Sequence, residues 1–358
     1  MFDEIQEQHE AKSLLAVALA EGPAHAYLFH GPPGVGKWKA AEAFAGALLG
    51  DPERVSRGAH PDLYVLEPLG DQIRIDAVRE LRRDLHMRPF EADRRVYVIR
   101  SANLLNPDAA DALLKDLEEP PEYAVLVLVA DELGSLPETI CSRCQLVPFR
   151  RLSERVVREW LERSALGVDS TELSALARVA GGRLDRAARL MHEQGAKRRA
   201  ALLDLARSVY ADPDFDPAAA SARVLELAGE RADEARTSLE ALLEDLDLPA
   251  RELEQRLKRA AFGAEREDVL EALDELGAWY RDLVAVAAGA PDAAVHCDRL
   301  AELEADARLE RLAAAERAAE IVRETWRSYE ELNLHPALAL EALFIRLRNE
   351  LTGAAVAA

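Results

Sequence analysis

Gly31, Gly36 and Lys37 of "GPPGVGKWKA" (31–40) stand at the spacing of a phosphate-binding loop, G-x-x-x-x-G-K-[ST]. In such a loop the backbone amides and the lysine ammonium cradle phosphate oxygens at a helix N-terminus. The next position normally supplies a hydroxyl to Mg²⁺, and here it is Trp38. A working ATPase of this kind also needs a carboxylate at the end of an apolar strand. The candidate strand is "VYVI" (96–99), and Arg100-Ser101 follows it. A cation there repels Mg²⁺. Two separate metal-holding positions are therefore filled by other chemistry. Gly31, Gly34, Gly36 and Lys37 are expected to form a degenerate loop, weak or unused for ATP, with no nucleotide required. Nucleotide binding without hydrolysis, and a strand-to-helix turn that only packs tightly, remain as alternatives.

Other residues could do chemistry. "CSRC" (141–144) has the spacing of a redox pair. A redox pair is expected to open a helix, however, whereas this one leads into an apolar segment. Cys297 reads as an inert thiol. Arg143 carries a guanidinium that is always charged and forks onto phosphate oxygens, so it can stabilise developing charge without proton transfer. Its plain alternative is a surface salt bridge. "RELRRDLHMR" (79–88) could track a phosphate backbone or form the wet face of a helix.

The elements that must position these groups follow from periodicity. "HAYLFHG" (25–31) reads as a buried strand, the phosphate loop follows, and "KAAEAFAGALLG" (39–50) reads as a helix stopped by Gly50. Further strands are expected at 62–68, 94–102, 124–131 and 144–149, with helices at 10–20, within 73–89 and at 106–121. Within 73–89, Val78, Leu81 and Leu85 share one helical face. Asn106-Pro107 is a helix start signal. Strands alternating with helices make a parallel α/β sheet over residues 1–150. Beyond it lie short amphipathic helices at 153–166, 170–180 and 183–194, then a Pro/Asp-rich linker or loop at 210–221, then long Ala/Leu/Glu/Arg helices. The longest is expected at 299–332, with Leu303, Leu309 and Leu312 on one stripe. The last helix is expected to end near Arg348, with a frayed tail at 351–358.

Bulk numbers narrow the function classes. The chain has 358 residues, 49% hydrophobic and 31% charged, which sets an expectation of two or three domains. No run of eighteen apolar residues suggests a membrane span. The opening "MFDEIQEQHE" does not read as a signal peptide. Three Cys make no disulfide framework, so a reducing cytoplasm is the expected setting. Of the net charge of −21, residues 206–358 carry −15, from 18 basic and 33 acidic side chains. That charge argues against this half gripping duplex DNA, and it is compatible with a protein–protein role or with a solvated surface that only keeps the protein soluble.

"HAYLFHGPPGVGK", "GAHPDLYVL", "IRIDAVRELRRDL", "RPFEADRRVYVIRSANLLNPDAADALLKDLEEPP" and "LPETICSRCQLVPF" occur in this order. Together they resemble the delta-prime family of the bacterial replicative clamp loader, part of the DNA polymerase III holoenzyme and of the AAA+ superfamily. The resemblance covers residues 20–150 closely and 151–200 loosely. It implies an α/β domain of P-loop AAA+ type (1–150), an all-α lid (151–205) and an all-α collar (206–350) that holds a five-subunit ring. It further implies a rigid subunit that does not hydrolyse ATP and that donates Arg143, from its Ser-Arg-Cys segment, to a neighbour's ATP site. The partners so implied are gamma/tau ATPase subunits and a delta subunit, with the sliding clamp and primer–template DNA reached through the complex, and no membrane. The alternative within the family is an ATP-hydrolysing gamma/tau-like motor subunit. Three departures stand out. Residues 50–60 lack the four-Cys zinc module of many members, so no zinc is expected. Asp185 stands where a lid arginine would sense ATP, with Arg186 one place off. Lys115-Asp116 replaces a common Lys-Thr pair.

Overall fold

Seven consecutive apolar residues, Ala124–Ala130, form strand β4, and all seven are buried. Such a run fits only a strand covered on both faces, as in a parallel sheet with helices above and below. A computed structural model of the chain describes residues 2, 4–68, 72–131, 133–134, 136–164, 168–243, 250–332 and 334–353. The other strands are β1 (Ala26–His30), β2 (Leu63–Leu66), β3 (Arg95–Ile99) and β5 (Gln145–Pro148). All pair in parallel, in the order β2-β3-β4-β1-β5. This is a parallel α/β sheet with the glycine-rich loop after its first strand, as expected from the sequence.

Helices of the α/β part are α1 (His9–Glu21), α2 (Lys37–Leu49), α3 (Pro52–Ser56), α4 (Ile75–Leu85), α5 (Pro107–Glu118) and α6 (Glu138–Cys141). Alternate strand residues feed two cores. Tyr27, Phe29, Val98 and Val127 pack with Leu15 of α1 and Phe44 of α2. Leu28, Tyr97, Ile99 and Leu126 pack with Leu81 of α4 and Leu113 of α5. Val78, Leu81 and Leu85 are fully buried, as their spacing predicts. Asn106 caps α5 by accepting from the Ala109 amide at 2.9 Å. Asp116 finds its partner here: it is buried on α5 and paired with Arg82 of α4.

Contacts divide the chain into two compact units, Met1–Val157 with Gly181–Arg186, and Arg158–Ala180 with Ala187–Ala358. After β5 the elements are α7 (Glu154–Ser164), α8 (Ser170–Ala180), α9 (Leu184–Met191), α10 (Glu193–Ala211), α11 (Pro217–Leu243), α12 (Ala250–Ala287), α13 (Leu300–Asp306), α14 (Leu312–Glu331) and α15 (Pro336–Thr352). The second unit is all helical, around Leu276, Trp279, Tyr280, Phe344 and Leu347.

Two expectations fail here. Residues 299–332 are not one helix, and the longest is α12 instead. The chain breaks after Asp306, whose carboxylate accepts from Arg207 Nε at 2.7 Å and from the Tyr210 hydroxyl at 2.9 Å. Leu303 is fully buried while Leu309 is 77% exposed, so they share no stripe. Residues 210–221 are no loose linker either. Asp216 accepts from the Ala218 amide at 2.9 Å and starts α11 with Pro217 in its first turn. Arg348 donates to the carbonyls of Val209 and Asp212, both at 2.7 Å, and so closes the turn. The expected tail lies mostly outside the described residues, and α15 runs to Thr352, past Arg348.

One buried carboxylate sets the path from α4 to β3. Asp62 is fully buried and accepts from the amides of Phe90 (2.6 Å), Glu91 (3.0 Å) and Ala92 (2.9 Å). Burial alone would raise its pKa, but the three amides and the Arg95 charge outweigh it and hold the carboxyl below the ordinary range. A lowered carboxyl pKa contributes stability above the unfolded pKa, and the contribution is lost as pH falls through the folded one. Asp62→Asn, with one acceptor oxygen for three amides, should cost about 2 kcal/mol in denaturant unfolding at neutral pH. The gap to the parent chain should narrow below about pH 4. Equal stability of the two chains at neutral pH would refute this account of the loop.

Candidate functional site

In a parallel sheet the groups at the carboxyl ends of the strands lie together. The phosphate loop follows β1, Arg100 follows β3 and Asp131 follows β4. Gly31 has φ +137°, and a Cβ on it would fall 2.1 Å from the Phe149 carbonyl oxygen, so only glycine fits beside β5. The loop turns into α2, and Lys37 starts that helix.

Lys37 is 5% exposed. Its Nζ donates to the carbonyls of Gly31 and Pro32 and lies 2.9 Å from Asp131 Oδ1. Burial pulls its pKa down, partly offset by the charges of Asp131 and Asp185. The ammonium is thus folded back onto its own loop. Sequence reasoning gave Asp131 no role. The signal was its place directly after the apolar run of β4, where a parallel sheet gathers polar groups.

Trp38 and Arg100, the two departures from metal chemistry, touch each other. The Arg100 guanidinium lies over the indole, 4.8 Å from the ring centroid, and Arg100 Nη1 donates to Glu67 Oε1 at 2.8 Å. Such a stack contributes roughly 0.5–1 kcal/mol at an exposed site. Glu42, one turn further along α2, has its pKa raised by burial, against the Trp38 hydrogen bond and the Arg100 charge. Ser101, beyond Arg100, takes a left-handed φ of 54° and turns the chain away from the strand. Where Mg²⁺ would need a hydroxyl and a carboxylate, the chain presents an indole and a guanidinium. Neither of these two side chains is a Mg²⁺ ligand.

Arg143 lies between α6 and the edge strand β5. Its Nε donates to Glu118 Oε1 at 2.8 Å, its Nη2 also reaches that oxygen, and its Nη1 donates to the Thr139 carbonyl at 2.8 Å. The side chain is 32% exposed and Glu118 is 49% exposed. An ion pair this open holds weakly, by about 0–1 kcal/mol, and the guanidinium can exchange it for other oxygens. Glu118 was not singled out from sequence. The neighbouring thiols are poor nucleophiles: burial raises the pKa of Cys141 and pushes that of Cys144 up to about 12. The basic stretch on α4 is partly committed within the chain, Arg79 to Asp76 at 3.0 Å and Arg82 to Asp116.

Asp185 has its carboxylate beside Gly34 of the loop and is paired with Arg183 Nη2 at 2.7 Å. Among the described residues no helix is long and apolar enough to cross a membrane.

Residues 7–153 match the family described as DNA polymerase III, delta subunit. The chain is 35% identical over 195 residues to DNA polymerase III subunit delta' of Pseudomonas aeruginosa, covering 50% of this chain and 58% of that one. It is 34% identical over 149 residues to subunit delta' of Bacillus subtilis, covering 38% and 45%. To subunit tau of Bacillus subtilis it is 30% identical over 197 residues, covering 50% and 35%. The chain thus spans between 35% and 58% of the length of these relatives. Identity to the delta' and tau relatives is similar, so it does not separate the two kinds. The similarity thus lies in residues 7–153 for the family and in at most about half of the chain for subunits of both kinds.

Proposed function

We propose that this chain is a clamp-loader subunit of the DNA polymerase III type that hydrolyses no ATP itself. In this reading it acts as a rigid stator and lends Arg143 to the ATP site of a neighbouring gamma/tau-type subunit. The lid (151–205) and collar (206–350) complete the subunit, the collar joining it to the ring with a delta subunit. The ring then loads a sliding clamp on primed DNA. The observation that carries the reading is the Trp38–Arg100 stack in the two metal-holding places, alongside an exposed, weakly held Arg143 at the sheet edge.

The second reading, an ATP-hydrolysing gamma/tau-like subunit, draws on the 30% identity to a tau subunit and on the retained Gly31, Gly34, Gly36 and Lys37. Trp38 and Arg100 stand in the two places where such a subunit would hold Mg²⁺, which is why the first is preferred.

Two experiments separate them. The purified chain with Mg²⁺ and ATP should release phosphate only at background. Trp38→Thr should not restore turnover, because Arg100 still repels the metal. Turnover that disappears in Lys37→Ala would instead establish the motor reading. In the reconstituted ring, Arg143→Ala should leave assembly intact. It should slow single-turnover hydrolysis at the facing ATP site by on the order of 10³-fold, the low end for an arginine supplied in trans. Unchanged hydrolysis in that ring would remove Arg143 from the reaction.

A further inference from the structure

The phosphate loop keeps its glycines and its lysine, yet the proposed function gives it no ligand. A loop of this kind is an anion socket by geometry, with amides and an ammonium directed at one place. A carboxylate of the chain itself lies against this loop. Gly34 has φ +69°, and a Cβ on it would fall 1.6 Å from Asp185 Oδ1, so the carboxylate lies directly against the loop backbone. The Leu184 amide donates to the Gly34 carbonyl at 3.0 Å and ties the segment down beside it. Arg183 grips the same carboxylate, Nη2 to Oδ2 at 2.7 Å and Nε to Oδ1 at 3.2 Å. On the other side Asp131 Oδ1 takes Lys37 at 2.9 Å.

We infer that Asp185 is the loop's resident anion: its carboxylate closes the phosphate socket from within and excludes the phosphates of a nucleotide. Two cations, Lys37 and Arg183, already face two carboxylates, Asp131 and Asp185. An entering diphosphate meets a carboxylate beside the loop, and among these four groups every cation already faces a carboxylate. Exclusion therefore does not depend on Mg²⁺. It comes on top of the Trp38–Arg100 replacement, which removes the metal alone. The inference shares the idle loop with the proposed function but makes no use of Arg143, so the two can fail separately.

The test is calorimetric titration of the full chain with ADP, without Mg²⁺, so that the metal places play no part. Asp185→Ala should bind ADP roughly tenfold or more tighter than the parent chain, because one full negative charge leaves the socket. The gain should vanish in the double variant Asp185→Ala/Lys37→Ala. A gain in affinity cannot come from loss of fold. Should Asp185→Ala prove unstable, Asp185→Asn keeps the shape, removes the charge and carries the same expectation. The inference is overturned if the neutral variants bind ADP no tighter than the parent, or if the gain survives Lys37→Ala.

Discussion

An ammonium buried to 5% exposure has to find oxygens within reach. Lys37 is placed by the strand–loop–helix turn, which the sheet itself enforces: β1 runs between β4 and β5, and its carboxyl end can open only onto the loop. Largely buried, the ammonium takes two loop carbonyls and Asp131. That choice fixes the rest of the site. Asp131 is held facing the loop, the loop carbonyls are turned inward, and the remaining balance of charge falls to Asp185 and Arg183. A residue that would contact phosphate in a working loop here contributes to the fold of the α/β unit.

Much of this unit was legible in the sequence because its signals are local. Strand identity follows from apolar runs, and the start of α5 from Asn106-Pro107. The same signal at Asp51-Pro52 marks α3, where Asp51 accepts from the Arg54 amide at 3.0 Å, and it was overlooked within a stretch searched only for cysteines. Trp38 and Arg100 were legible as losses, each against a residue type that metal binding requires. That they stack on each other was not, because the contact joins α2 to the end of β3 across the sheet. Asp116 likewise had no reading until Arg82, on a different helix, stood beside it.

The second unit was legible only as helix. Its Ala/Leu/Glu/Arg composition supports helix at nearly every position, so local sequence contains no stop at Asp306. The stop is tertiary. Asp306 is taken by Arg207 and Tyr210, and Tyr210 in turn accepts from the buried Trp279 indole at 3.1 Å. In a core this apolar an unpaired indole or hydroxyl would be costly, so the hydrogen-bonded row decides where the helices end. The turn at 212–216 follows the same logic. Its Pro and Asp residues resemble a linker, but Pro in a first helical turn after an aspartate cap is a start signal, and Arg348 closes the carbonyls that the turn leaves open.

The two basic groups of the candidate site differ in how firmly they are held, and the difference bears on what each can do. Lys37 is 5% exposed, and its ammonium is held by two loop carbonyls and Asp131. Removing its partners would leave a buried charge, so it stays. Arg143 sits at the edge strand with a half-exposed glutamate, in water that screens the pair and supplies a substitute for either partner. A phosphate group presented from outside competes poorly for the first and well for the second. On the proposed reading this asymmetry is what separates a subunit that serves a neighbour's ATP from one that uses its own: the chain's inward cation is held by its own loop, and its outward cation lies at the edge strand in a partly exposed ion pair.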